Sequence, residues 1–158
     1  MKRVRYLNSG FDAIDTQILR ALTNNARIAM KDLARQIGLS APSTKERVRR
    51  LEEIGLIQAY TTRVSPVALG LPLGVIIRVR PMPGELSRVA NLLAAKQEVV
   101  QCDRVTGDDC FVAKAFVASV EDLEKLIDDL LPYATTNTSV IQSTPVEARM
   151  PARRQRDE

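Results

Sequence analysis

Two stretches of chain with helical spacing of apolar residues meet at a glycine in the first third of the sequence. Gly38 ends the first stretch with a residue that tolerates a left-handed backbone. Ser40 then offers a hydroxyl that can cap a new helix, in whose first turn Pro42 is tolerated. Two helices joined by so short a turn form a helix-turn-helix, which restricts how the neighbouring chain can fold. The residues predicted to face inward are Met30, Leu33, Ala34 and Ile37 in one helix and Thr44, Val48 and Leu51 in the next.

A further amphipathic stretch precedes this pair. Ile14, Ile18 and Leu22 recur at helical spacing, while Asp12 can cap the first turn and Asp15 adds negative charge there. After the third helix, the segment "LIQAYTTRV" is rich in β-branched residues, which predicts a strand or wing. The pattern therefore predicts a winged helix-turn-helix domain over residues 11–62.

The second helix of such a pair is the one that enters the DNA major groove. Its small polar residues would let hydroxyls and backbone approach base edges, and its basic residues would contact phosphates or guanines. A merely solvated helix of mixed charge is the alternative, because Glu46, Glu52 and Glu53 lie among the same residues. The predicted DNA contacts are Ser40, Ser43, Thr44, Lys45, Arg47, Arg49 and Arg50.

The distribution of charge separates the two halves of the chain. Up to Ser65 there are twelve basic and six acidic residues, whereas residues 66–148 hold seven basic and eleven acidic ones. A basic N-terminal half and an acidic C-terminal half indicate that only the first meets a polyanion. This asymmetry favours DNA binding over the solvated-helix interpretation.

A different pattern begins after a segment rich in proline and glycine. Val75, Ile77 and Val79 alternate with more polar residues as in a strand, and "TGDD" is typical of a hairpin turn. Strands and helices are predicted in the order β-α-β-β-α-β, which is the ferredoxin-like arrangement and leaves one sheet face in need of a partner. The predicted organisation is α+β, with an extension over residues 1–10, the helix-turn-helix over 11–62, a linker over 63–72, the ferredoxin-like domain over 73–148 and a disordered basic tail over 149–158.

Several classes of protein are not expected. The chain has no histidine and only two cysteines, so we expect no metal site, no cofactor and no catalytic residue. Paired acids such as Asp108 and Asp109 are not accompanied in the sequence by the activated nucleophile or phosphate-binding loop that an enzyme would need. The longest apolar run, from Val67 to Ile77, is too short to cross a membrane, and a cytoplasmic protein is predicted. A hairpin turn between Gly107 and Asp108 would pair Val105 with Cys110 and bring Cys102 beside Ala113, keeping the two thiols apart.

Particular motifs give this chain a recognisable order. They are "FDAID" at Phe11 to Asp15, "IGLS" at Ile37 to Ser40, "ERVRRLEEIGLI" at Glu46 to Ile57, "VTGDDCF" at Val105 to Phe111 and "TTNTSVI" at Thr135 to Ile141. In order and spacing the chain resembles the Lrp/AsnC (leucine-responsive, or feast/famine) family of prokaryotic transcription regulators, over roughly Phe11 to Glu147.

This resemblance implies an ACT-like regulatory domain that dimerises, commonly into octamers of four dimers, with amino-acid effectors bound between dimers. The implied function is a sequence-specific transcription regulator of double-stranded DNA gated by such an effector; an effector-independent architectural protein that bends DNA as a multimer is the alternative. Cys110 stands where many members have aspartate. The effector-binding residues carried over to this chain are Gly107, Asp108 and Asp109 on one side and Thr136, Thr138 and Ser139 on the other.

Overall fold

The computed structural model describes residues 11–152, which fall into two compact units. The first comprises residues 11–62 together with the described residues from Glu147 onward, and the second spans Arg63–Val146. The predicted extension over residues 1–10 and the last six residues of the predicted tail lie outside the described residues.

The first unit is a bundle of three helices around an apolar core. Asp12 caps the first helix through a reciprocal pair of hydrogen bonds with Asp15, and Ser40 caps the third by accepting a hydrogen bond from the Ser43 amide. The helices are α1 (Ala13–Asn24), α2 (Met30–Ile37) and α3 (Ala41–Glu53). Their buried apolar side chains are Ile18, Ala21, Leu22, Leu33, Ala34, Ile37, Val48 and Leu51.

The turn between α2 and α3 has the form that the sequence predicts. Gly38 adopts φ +72° and ψ +31°, and the Leu39 amide donates to the Ala34 carbonyl at 3.0 Å. A left-handed residue at this position satisfies carbonyl groups at the end of a helix. Thr44, Val48 and Leu51 are buried as predicted. Met30, the first residue of α2, is only partly buried and packs against the edge of this core.

The segment predicted as a strand or wing, Leu56 to Val64, forms no strand within the described chain. The amides of Leu56 and Ile57 both donate to the Leu51 carbonyl, at 2.9 and 3.0 Å, so the chain folds back over the end of α3. Among residues 11–152 no strand lies beside the segment that follows, and β propensity alone does not provide one. Tyr60 instead donates from its hydroxyl to Glu52 at 2.7 Å; burial, followed by this hydrogen bond, raises the pKa of Tyr60 to about 12.

The second unit is an antiparallel four-stranded sheet with two helices, in the predicted ferredoxin-like order. Its strands lie side by side in the order β2-β3-β1-β4, so that β1 pairs with β3 on one side and with β4 on the other. A short 3₁₀ helix, Val67–Leu69, precedes the first strand. The elements are β1 (Leu73–Pro81), α4 (Leu86–Ala95), β2 (Val99–Arg104), β3 (Phe111–Val117), α5 (Val120–Asp128) and β4 (Ala134–Val140).

The registers confirm one detailed prediction and correct another. Cys102 lies opposite Ala113, and the Val105 amide donates to the Cys110 carbonyl at 2.9 Å, so both thiols are free as predicted. The composition of "TSVIQSTPV" predicts the last strand over Thr138 to Val146, whereas β4 begins at Ala134. Residues 134–137 pair with Arg78–Pro81 at the end of β1, and this pairing outweighs the turn signal of the nearby proline.

One face of the sheet is covered and the other is open. Val75, Ile77 and Val79 are fully buried beneath α4 and α5, among the other residues of the core. Ile76, Val112 and Phe116 occupy the opposite face, where they are only half-buried. None of the described helices is long and apolar enough to cross a membrane.

Replacing Gly38 should test the turn of the helix-turn-helix. A Cβ at this position meets no atom within 4 Å, so Gly38→Ala should cost only the left-handed backbone strain, about 1–2 kcal/mol. The free energy of opening, measured by hydrogen exchange at the Leu33 and Leu51 amides, should fall by that amount. Gly38→Asn is the matched control and should lose less, because asparagine tolerates this conformation. Equal stability of wild type and Gly38→Ala would contradict the prediction.

Candidate nucleic-acid interface and effector site

The N-terminal end of α3 presents small hydroxyl groups to solvent. Ser40 and Ser43 are exposed, and their Oγ atoms lie 2.8 Å apart. Ser40 Oγ also accepts from the Ser43 amide at 3.2 Å, which fixes the start of the helix. Free amide groups at a helix start favour an anion such as phosphate. The two serines are therefore placed where a DNA contact is predicted.

Thr44 does not lie on this surface. Its side chain is fully buried, and its hydroxyl donates to the Ser40 carbonyl at 2.9 Å. The same residue was predicted both to face the core and to contact DNA, and the structure satisfies only the first of these. We therefore remove Thr44 from the candidate DNA contacts.

Arg49 lies on the outer face of α3, between two carboxylates of its own helix. Its guanidinium contacts Glu46 at 2.7 and 3.1 Å and Glu53 at 3.0 Å. The hydrogen bond from Arg49 lowers the pKa of Glu46, and the same bond raises the pKa of Arg49. Lys45 is also exposed on this helix and makes no ion pair with any described residue. The outer face thus carries two cations: Lys45, which has no ion pair with a described residue, and Arg49, which is paired with carboxylates of its own helix.

Arg47 and Arg50 point in another direction, toward the start of α1. Arg47 Nη1 lies 2.7 Å from Asp12 Oδ2 and 2.9 Å from Asp15 Oδ1, and Arg50 Nη2 lies 2.6 Å from Asp15 Oδ2. The Asp15 side chain is fully buried, whereas the Arg47 and Arg50 side chains are 29% and 40% exposed. The two arginines tie the third helix to the first.

The first turn of α1 and Arg47 also stabilise the ionised form of the Asp12 carboxyl group. A hydrogen bond from the Asp15 amide at 2.8 Å lowers the pKa of the Asp12 carboxyl, and Arg47 lowers it further against the effect of burial. Hydrogen bonds to Asp12 and Asp15 raise the pKa of Arg47. Sequence analysis did not anticipate this cluster. A signal was present, because Asp15 shares the inward stripe of α1 with Ile18 and Leu22.

The hairpin turn of the second unit has the predicted glycine geometry. Gly107 has φ +110°, and a Cβ built there would meet nothing within 4 Å. Asp108 is almost fully exposed, and Arg80 both donates to its carbonyl at 2.8 Å and lies 3.6 Å from its carboxylate. Arg78 lies 4.0 Å from Asp109 and donates to Asn137 at 2.7 Å. Sequence analysis missed these two arginines, which lie on the open face of the sheet.

The other predicted effector residues fall on two faces of β4. Thr136 and Thr138 lie opposite Val79 and Ile77, on the helix-covered face, whereas Ser139 lies opposite Ile76 on the open face. All three residues belong to the last strand. Thr138 Oγ1 is buried and has no hydrogen-bond partner among the described residues.

The turn and the start of β4 lie at the same end of the sheet, on either side of β1. The Cys110 amide donates to the Val79 carbonyl at 3.0 Å, and Val79 is the residue opposite Thr136. Gly107, Asp108 and Asp109 therefore share an end of the sheet with Thr136, while Thr138 and Ser139 lie further along the strand. Among the described residues no cluster of three or more acidic or sulfur side chains could hold a metal ion.

Comparison with known proteins agrees with both units. A model of winged helix-turn-helix DNA-binding domains matches residues 11–58, and a model of the Lrp/AsnC ligand binding domain matches residues 74–151. The HTH-type transcriptional regulator LrpC of Bacillus subtilis is 36% identical over 84% of this chain and 92% of its own length. The regulator LrpA of Mycobacterium tuberculosis is 32% identical over 84% of this chain and 89% of its own length.

Solved structures give the same result. The structure of Bacillus subtilis LrpC superposes with a TM-score of 0.82 at 35% identity, covering 87% of this chain and 98% of that one. A feast or famine regulatory protein from Mycobacterium tuberculosis was solved as a complex with L-methionine. It superposes with a TM-score of 0.81 at 30% identity, and the match covers 89% of this chain and 98% of that one. Together with the helix-turn-helix and the ferredoxin-like sheet, these matches show that the chain belongs to the Lrp/AsnC family of transcriptional regulators.

Proposed function

We propose that this protein regulates transcription as a homo-oligomer that binds double-stranded DNA through α3 and responds to an amino acid or a related small molecule. The protein would act in the cytoplasm of a prokaryote, where the chromosome is accessible. The observation that carries the proposal is the exposed polar and basic surface of α3, the second helix of a motif whose second helix reads the major groove.

The proposed DNA surface has a centre and an edge. Ser40, Ser43, Lys45 and Arg49 are exposed and form the centre, with hydroxyls for base edges or phosphates and cations for phosphates. Arg47 and Arg50 lie at the edge, where their partly exposed guanidinium groups are already bonded to α1.

Dimerisation through the sheet would pair two such surfaces. The open face carries half-buried apolar side chains, including Ile76 and Phe116, that a second copy could cover. A two-fold dimer would place its recognition helices about 34 Å apart, or a multiple of that distance, and read an inverted repeat. Assembly of four dimers into an octamer is the arrangement that we propose beyond the dimer.

The proposed effector site lies at the end of the sheet that holds the Gly107 turn. Asp108 and Asp109 could bind the ammonium group of an amino acid, and hydroxyls of Thr136, Thr138 or Ser139 could donate to its carboxylate. Support comes from Thr138 Oγ1, which is buried and has no hydrogen-bond partner in the described part of the chain, because such groups are normally hydrogen-bonded. The relative from Mycobacterium tuberculosis, in its complex with L-methionine, supports an amino acid as the class of ligand.

Neutralising Lys45 should reduce the salt dependence of DNA binding. A single phosphate contact contributes about 0.9 to the slope of log K against log salt, so Lys45→Gln should lower that slope by about one. Binding to a duplex selected by the wild-type protein, measured by fluorescence anisotropy at several salt concentrations, gives the slope. Lys125→Gln is the matched control, since Lys125 pairs with Asp122 in the other unit and should not change it. An unchanged slope for Lys45→Gln would place the DNA surface elsewhere.

Filling the hairpin turn should abolish the effector response. Gly107→Arg should remove any effect of amino acids on DNA affinity and on particle size by light scattering, measured first with L-methionine and then with the other nineteen. Gly70→Arg is the matched control: Gly70 has φ +81° and equally open space, but it precedes β1. If Gly107→Arg still responds to an amino acid, the effector pocket must lie elsewhere. No response in the wild type would favour the architectural, effector-independent function.

A further inference from the structure

We propose that Asp15 is a positioning residue for DNA recognition, acting through Arg47 and Arg50 to fix the placement of α3 on the first helix. This inference rests on the proposed DNA surface. It assigns the two arginines to holding the recognition helix, and it leaves Ser43, Lys45 and Arg49 to meet the DNA.

The carboxylate of Asp15 is fixed before it meets the arginines. Its Oδ2 accepts a hydrogen bond from the Asp12 amide at 3.1 Å, while its own amide donates to Asp12 Oδ1 at 2.8 Å. This reciprocal pair holds both the start of α1 and the rotamer of Asp15. Ile18, one turn further along α1, is fully buried in the core and anchors the same helix face.

Two arginines from successive turns of α3 then converge on that one carboxylate. Arg47 contacts Oδ1 at 2.9 Å and Arg50 contacts Oδ2 at 2.6 Å, so each oxygen has its own guanidinium. Two contacts one helical turn apart restrain rotation of α3 about its axis as well as its distance from α1. The hydrophobic effect that buries the apolar core is by itself non-directional. Charge-assisted hydrogen bonds do have a direction.

Rotation of α3 is what base recognition depends on. Lys45 and Arg49 lie one helical turn apart on the outer face, and a small rotation about the helix axis would carry both away from the groove. Contacts with phosphates fix register but read no sequence, and contacts with bases do the reading. Loss of the contacts between Asp15 and the two arginines should therefore reduce the preference for the selected sequence more than it reduces general affinity for DNA.

Three variants and one control separate this role from a direct phosphate contact. Asp15→Asn is nearly isosteric, Arg47→Gln leaves Asp15 paired with Arg50, and the double variant combines the two. Lys45→Gln is the control on the same helix. The full-length proteins are measured on the selected duplex and on a scrambled duplex of the same composition, over a series of salt concentrations, at a temperature at which thermal unfolding shows each to be folded.

We expect Asp15→Asn and Arg47→Gln each to reduce the ratio of specific to non-specific affinity by about tenfold while the salt slope stays unchanged. The double variant should lose little more than either single one, because both act through the same contact. Lys45→Gln should lower the slope by about one on both duplexes.

Other outcomes overturn the proposal. A slope lowered by about one in Arg47→Gln, with Asp15→Asn unchanged, would make Arg47 a phosphate contact. Lower thermal stability with an unchanged affinity ratio would make the cluster a fold stabiliser only. If Asp15→Asn does not fold, the slope and ratio of Arg47→Gln decide alone. A wild-type protein that selects no sequence, or a silent Lys45→Gln, would instead refute the proposed DNA surface.

Discussion

The carboxylate of Asp15 is buried between the first and third helices, and two arginines of the third helix neutralise it. A buried charge without a partner is strongly unfavourable, so α3 is held wherever it can supply Arg47 and Arg50. Removing one partner from a fully buried ion pair typically costs about 3–5 kcal/mol, and the partial exposure of these arginines reduces that cost. On its unit, α3 is thus held by a polar contact in addition to the apolar core.

Local patterns were sufficient to predict much of the fold. Gly38 marked the end of α2 because a left-handed residue is required there, and the alternation of Val75, Ile77 and Val79 identified the central strand. The hairpin register placed Cys102 beside Ala113, since a turn of known length fixes its own strand pairing. These features depend on a few neighbouring residues, and such dependence is visible in the sequence.

The features that were missed depend on contacts between distant residues. Asp15 and Arg47 are separated by 32 positions, and nothing near either one indicates the pairing. Residues 56–64 have strand propensity but no described strand beside them, and β4 starts early because β1 extends far enough to pair with Ala134. The predicted effector residues include Thr138 and Ser139. These two are adjacent on a strand, so their side chains point to opposite faces of the sheet. The β4 register distributes that set over both sides of the sheet.

The ion-pair ladder of Glu46, Arg49 and Glu53 on the outer face of α3 has a consequence for the protein inside a cell. A chromosome offers a vast excess of sites with the wrong sequence, and every unbalanced cation on a recognition helix increases affinity for all of them. In the proposed DNA contact, Arg49 would have to break its ion pairs with two carboxylates, and a weak encounter with DNA would not supply the free energy to break them. Ion pairing within the helix would thus lower the number of non-specific sites occupied, and a larger share of a small number of molecules would stay available for operators.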